Sequence, residues 1–170
     1  MSETSKVREF VEKYCVGEGL DIGCGEDKIV LNAIGIDFSN QYKLSDHPET
    51  VADYKNGWEN FFKENHKLWD FIYSSHLIED YSQQQIDGML NTWVDNLKIG
   101  GYLILVFPHE ELYKKLGVNI NSRHCNNWRS AMDFFESLSE QLRFCLNVID
   151  FSFTVVVDYN LYIVLQKNGV

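Results

Sequence analysis

Apolar positions along the chain alternate between a helical and an extended period, and that alternation lays out an α/β order. Val7, Phe10, Val11 and Tyr14 recur at i, i+3, i+4 and i+7 and predict a leading helix that ends near Gly17. A short apolar strand follows over residues 19–22, then eleven residues (23 to 33) separate it from a second over 34–37. Crossovers between parallel strands ordinarily take a dozen or more residues with a helix inside, so the first crossover helix should be a stub. A third short strand is expected around Thr50 to Tyr54, and Trp58, Phe61 and Phe62 predict a short amphipathic helix beyond it. Residues 71–75 read as a buried fourth strand. Ser82 and Gln85 have capping-box spacing, and Ile86, Met89, Leu90, Trp93, Val94 and Leu97 follow at helical spacing. Gly100 and Gly101 then release the backbone before a fifth strand over 102–107, closed by Pro108. Ser130 to Leu138 predicts a helix with Phe134, Phe135 and Leu138 on one face. The last two strands are expected over 144–157 and 161–165, with Asp158, Tyr159 and Asn160 as their turn.

Seven strands alternating with helices imply a Rossmann-like, doubly wound, mostly parallel sheet that ends in an antiparallel strand pair. The 170 residues fit one domain over 1–170, large enough to bury about 70% of its unfolded surface. Charge narrows the partners. A formal net charge of -10 and a pI near 4.9 set the average surface against phosphate backbones and anionic lipid, which disfavours nucleic acid. Cys15, Cys24, Cys125 and Cys145 lack CxxC spacing, and no apolar signal segment opens the chain, so reduced thiols in a cytoplasmic protein are expected. No apolar run approaches the roughly 18 residues of a membrane span.

The chemistry concentrates in Gly19-Leu20-Asp21-Ile22-Gly23-Cys24-Gly25 and Ile34-Gly35-Ile36-Asp37-Phe38. A strand running into a glycine turn, beside a second strand ending on an acid, is the arrangement that holds a nucleoside at a parallel sheet's carboxyl edge. The dinucleotide version needs a third glycine where Lys28 stands, which leaves a nicotinamide reading only weakly supported. The stretch Asp21 to Gly25 resembles the first motif of class I S-adenosylmethionine (SAM) dependent methyltransferases. Leu97-Lys98-x-Gly100-Gly101-x-Leu103-x-Leu105 is similar to their late strand motif. The resemblance implies that Asp21, Gly23 and Gly25 frame the methionine part of SAM, that Asp37 takes the ribose hydroxyls, and that Asp53 with Tyr54 meets the adenine. Cys24 and Phe38 lie in the same two turns and join this set, although Cys24 is also simply a small side chain for a crowded turn. With only a stub helix to aim amides at a carboxylate, Lys28 is expected to supply charge.

Ser74-Ser75-His76-Leu77-Ile78-Glu79-Asp80 resembles the family's Ser-His-x-x-Glu-His segment, with Asp80 in place of the last histidine. That implies cofactor contacts from the Ser74 and Ser75 carbonyls and places His76 on the acceptor side. His76 and Glu79 are equally readable as a hydrogen-bonded pair that anchors the loop. Lys28, the early second strand and Pro108-His109-Glu110-Glu111-Leu112-Tyr113 together resemble a subgroup found among phage and polysaccharide-cluster proteins. Residues 109–128, with Tyr113, Arg123 and Trp128, are expected to form a mobile lid whose His109 or His124 takes the acceptor's proton. No recognisable metal-ligand spacing joins His109, His124 and Cys125. The expected activity is methyl transfer from SAM, yielding S-adenosylhomocysteine (SAH), to an oxygen or nitrogen of a small molecule or saccharide. A non-catalytic SAM- or SAH-binding module, acting as a partner subunit or regulator, is the alternative.

Overall fold

The leading stripe folds as a helix because Ser2 caps it. Its hydroxyl accepts the Ser5 amide at 2.9 Å, α1 spans Glu3–Val11, and a 3-10 turn carries the chain on to Tyr14. In this computed structural model, which describes residues 2–37, 52–115 and 123–169, Gly17 at φ +92° releases the chain into β1 (Gly19–Ile22). Residues 23–33 then reach β2 (Ile34–Ile36) without forming any helix, so even the expected stub is missing. The rest runs α2 (Trp58–Glu64), β3 (Trp69–Ser75), a 3-10 turn over Ile78–Asp80, α3 (Gln83–Asp95), β4 (Leu97–Pro108) and α4 (Glu110–Lys115). The last four elements are α5 (Ala131–Ser137), α6 (Glu140–Cys145), β5 (Leu146–Phe151) and β6 (Asn160–Lys167).

The sheet has the order β2-β1-β3-β4-β6-β5, parallel through β4, with β6 inserted antiparallel between β4 and β5. Six strands are present among the described residues, against seven expected. Where the third was placed, Tyr54 makes a single parallel bridge to Ile36, and Thr50 lies outside the described residues. The reason is local: the Asp53 and Tyr54 amides both donate to the Gly35 carbonyl, at 2.9 and 3.0 Å, whereas successive amides of a strand point opposite ways. The chain curls there.

A second correction falls at the carboxyl end. The strand expected over 144–157 is confined to β5, because the Ser139 hydroxyl accepts the Leu142 amide at 3.4 Å and opens α6 over the preceding residues. Leu142 is buried there.

Side chains alternate across the strands, so the sheet carries a core on each face. Trp58, Phe61, Phe62, Ile86, Leu90, Trp93, Phe134 and Leu142, from α2, α3, α5 and α6, pack on Leu20, Ile22, Ile72 and Leu105. On the other face Val7 and Val11 of α1, joined by Ile29 and Ala33 of the helix-free crossover, cover Phe71, Tyr73, Ile104 and Val106.

Candidate active site

Between β2 and β3 the chain winds away from β1 in both directions, and this switch point opens the carboxyl edge where ligands of such sheets bind. The glycine turn sits on it. Gly23 (φ +77°) donates its amide to the Ile36 carbonyl at 2.8 Å, and Gly25 (φ +52°) donates to Asp37 Oδ2 at 2.8 Å. A Cβ on Gly23 would lie 3.3 Å from Leu77, but one on Gly25 would meet nothing within 4 Å. The Gly25 backbone therefore borders open space, with the Asp37 carboxylate held against it.

The other residues singled out for the cofactor hold this turn from below and from the side. Asp21 is buried, and its Oδ2 accepts the Ile29 amide at 2.6 Å while Oδ1 has no partner. Burial pushes its carboxyl up to about 7, the Ile29 hydrogen bond opposing. Cys24 is buried against Gly35, where an added Cβ would come within 2.9 Å of its sulfur. The Lys28 ammonium, expected to face the ligand, instead pairs with Asp53 at 2.9 Å and donates to the Ala33 carbonyl at 3.0 Å. Asp53 also accepts the Gly35 amide at 2.8 Å; its bonds to Lys28 and Gly35 lower its carboxyl below the ordinary range. Tyr54 packs edge-on against Phe61 and donates its hydroxyl to Glu64 at 2.8 Å. The Ser74 hydroxyl donates to the Ile22 carbonyl at 2.8 Å and ties β3 to β1, and Ser75 beside it is buried. Phe38 lies outside the described residues.

Beyond β3 a buried polar network begins. His76, at φ +52°, sends its amide to the Val106 carbonyl at 2.9 Å, which aims the ring along the sheet edge. Its Nδ1 is 3.2 Å from Glu79 Oε1 and its Nε2 2.6 Å from Asn160 Oδ1. The Asn160 amide group is turned this way round because its Nδ2 donates to Glu3 Oε2 at 3.1 Å. Both ring nitrogens therefore face acceptors, which requires the imidazolium. Burial alone would lower its pKa, but Glu79, Glu3 and Asn160 outweigh burial and raise it. No lone pair is left for a base.

His124 is arranged differently. Its Nδ1 meets the buried Glu110 at 2.9 Å, Tyr113 stacks on its ring at 4.7 Å, and Nε2 stands 3.9 and 4.0 Å from Asp80 and Glu79. Carboxylates therefore stand on both sides of the ring, Glu110 within hydrogen-bond reach of Nδ1 and Asp80 and Glu79 farther from Nε2. The His109 amide donates to the Tyr159 carbonyl at 2.7 Å, and its buried Nδ1 has no partner.

The segment expected to be a mobile lid is anchored wherever it is described. Trp128 is buried against Phe107 and Phe134 at ring distances of 5.2 and 5.1 Å, the Cys125 amide donates to the Glu79 carbonyl at 2.8 Å, and Asn126 Nδ2 donates to the Tyr81 carbonyl at 2.8 Å. Apolar periodicity missed this because a single large ring does the anchoring. Residues 116–122 lie outside the description. Glu3, Tyr159 and Asn160 were not singled out, since their contacts with one another span 156 and 157 positions and leave no local signal.

No family model and no curated protein matches the chain. Solved structures do. Human N-acetylserotonin methyltransferase in complex with SAM superposes with a TM-score of 0.66 at 16% identity over 98% of this chain. The chain spans about half of that protein, 52%. A SAM-dependent methyltransferase from Archaeoglobus fulgidus gives 0.64 at 16% identity over 96% of this chain and 92% of its own. The N-methyltransferase NodS from Bradyrhizobium japonicum, with bound SAH, gives 0.62 at 13% identity over 98% and 85%. The fold is that of the SAM-dependent methyltransferases. No helix among the described residues is long and apolar enough to cross a membrane.

Proposed function

We propose that the chain is a single-domain methyltransferase that binds SAM at the Gly23–Gly25 turn and transfers its methyl group to an oxygen or nitrogen of a small molecule or saccharide. The observation that carries this reading is the pairing of Gly25, whose backbone borders open space, with the Asp37 carboxylate at the next strand end. Glycine gives a ligand close access to backbone, and a carboxylate there suits vicinal ribose hydroxyls. The residues fit that group. Bound SAM supplies a methyl carbon already activated by its sulfonium, so the protein's part is mainly alignment of the acceptor.

Asp21, Cys24, Lys28 and Asp53 hold the turn's shape in this reading, Gly23, Gly25 and Asp37 meet the cofactor, and the Ser74 and Ser75 backbone borders it. His124, with Nδ1 on Glu110, accepts a proton at Nε2 from the incoming nucleophile; His109 is the neighbouring candidate for that work. His76, held between Glu79 and Asn160, has a structural part in this reading, as a cation. Structural neighbours that include a mitomycin 7-O-methyltransferase and the N-methyltransferase NodS support this reaction class, and the acidic chain favours a small acceptor over a nucleic acid.

Calorimetry with SAH tests the cofactor assignment. The wild-type chain should bind, and Asp37→Ala should weaken binding by about 1 to 3 kcal/mol, the cost of removing a charged acceptor from hydroxyl groups. A folded wild type that takes up no SAH, or a variant that binds as tightly, overturns it.

A further inference from the structure

An eleven-residue crossover with no helix has to be shaped by something other than its own ladder. Within residues 23–33, the Asp27 amide donates to the Cys24 carbonyl at 3.1 Å and the Ala33 amide to the Val30 carbonyl at 3.2 Å, two isolated turns rather than a ladder. Side chains from other elements supply most of the remaining ties. Asp21 takes the Ile29 amide, and Lys28 reaches Asp53, as described above. From α1, Arg8 makes three further contacts: Nη2 lies 2.7 Å from Asp27 Oδ1, the same nitrogen donates to the Lys28 carbonyl at 2.9 Å, and Nε donates to the Ile29 carbonyl at 3.0 Å. Ser2, the α1 cap, also hydrogen-bonds Asp27.

A guanidinium is suited to this because its donors are fixed in one plane and can engage two successive carbonyls and a carboxylate together. Those carbonyls belong to residues 28 and 29, three and four positions after Gly25, and Ile29 is the residue that Asp21 holds from beneath. Arg8 and Asp21 thus grip one peptide stretch, Arg8 at the Lys28 and Ile29 carbonyls and Asp21 at the Ile29 amide. The consequence passes to Gly25, whose φ of +52° and amide bond to Asp37 depend on where the following residues are held.

We propose that Arg8 is a positioning residue for the cofactor turn, and that α1, through it, replaces the crossover helix this chain lacks. The inference rests on the SAM reading for its ligand but not for its geometry. An exposed ion pair alone would contribute little. Two carbonyl contacts from the same guanidinium make Arg8 specific, since lysine offers a point charge without the fork.

The test combines amide hydrogen exchange with SAH calorimetry on Arg8→Ala, Arg8→Lys and Asp27→Asn. In Arg8→Ala, exchange at residues 26–30 should rise at least tenfold while β3 and β4 stay protected, and the SAH dissociation constant should rise about tenfold, the usual loss for charge-assisted hydrogen bonds. Arg8→Lys should recover less than half of the binding loss, and added ethylguanidinium should restore the Arg8→Ala protein. Asp27→Asn removes the ionic contact while leaving Arg8 and its two carbonyl contacts in place and a carboxamide for the Ser2 hydroxyl, and should give a smaller change at the same amides. If exchange rises uniformly over the sheet, or residues 26–30 are unchanged in every variant, Arg8 is only a stabilising contact and the proposal fails. If Arg8→Ala shows the local exchange response but the wild-type protein takes up no SAH, the clamp stands and the SAM reading is overturned instead.

Discussion

Two histidines at one sheet edge differ in what each nitrogen faces. His76 meets a hydrogen-bond acceptor at both, Glu79 at 3.2 Å and Asn160 at 2.6 Å, and so holds a proton; His124 has Glu110 at 2.9 Å on Nδ1, with Asp80 and Glu79 at 3.9 and 4.0 Å from Nε2. This predicts a pH dependence whose sign follows from the raised pKa of His76. The folded state binds the proton more tightly than the unfolded one, so the stabilisation is complete below the ordinary histidine value of about 6.5 and is lost as pH rises through the folded value. The charged groups around the ring are Glu79 and Glu3; Lys6, paired with Glu3 at 2.9 Å, is held above its ordinary value and keeps its charge throughout. Urea midpoints from pH 6 to 9 should decline more steeply for wild type than for His76→Gln, and equal slopes would show that the ring is neutral. Part of this site was readable in the chain. Gly23, Gly25 and Asp37 stand within fifteen positions of one another, so spacing alone reported them, and the His76–Glu79 pair is a turn apart. The Asn160 and Glu3 partners come from distant strands and helices, and no local pattern announces a contact made across the whole sequence.

Elements were legible where period and cap agreed. α3 has both, with a buried stripe from Ile86 to Val94 and a Ser82 amide donating to Gln85 Oε1 at 3.0 Å. The crossover and α6 were misjudged because their conformation is set by side-chain bonds to backbone, as at Asp21 and Ser139, and residue type states that such bonds can form without stating where; of the third strand expected over residues 50–54, the described part shows one parallel bridge, Tyr54 to Ile36. Two glycines make the distinction measurable. Gly88 lies in α3 with helical backbone and open space around it, whereas Gly25 has open space but a φ of +52°. Gly88→Ala should stabilise the fold by about 0.5 to 1 kcal/mol through helix propensity. Gly25→Ala should destabilise it by about 1 to 2 kcal/mol and abolish SAH binding, because a side chain there is strained and occupies the ligand's approach. Chemical denaturation of the two variants should therefore shift in opposite directions.

For the molecule as a whole, charge sets what approaches. With 25 acidic against 15 basic side chains, little counterion-release energy is available from a phosphate backbone, so fluorescence anisotropy near physiological salt should detect no tight DNA or RNA complex. A submicromolar, steeply salt-dependent affinity would point to a basic patch and a different acceptor. The fold itself was visible in the order of its strands, since a parallel run closed by an antiparallel pair follows from where the apolar segments fall. Topology also brings the start of α1 against the start of β6. Glu3 of α1 hydrogen-bonds Tyr159 and Asn160, and β6, which Asn160 begins, is inserted between β4 and β5. Closing a loop of that span is slow and costly before it is rewarded. During synthesis the glycine turn, β1 and β2 emerge long before β6 does, so a nascent chain carries the parts of its cofactor turn while the cradle of His76 is still without Asn160. The glycine turn is therefore present early in the chain's emergence, and the polar cradle around His76 is completed last.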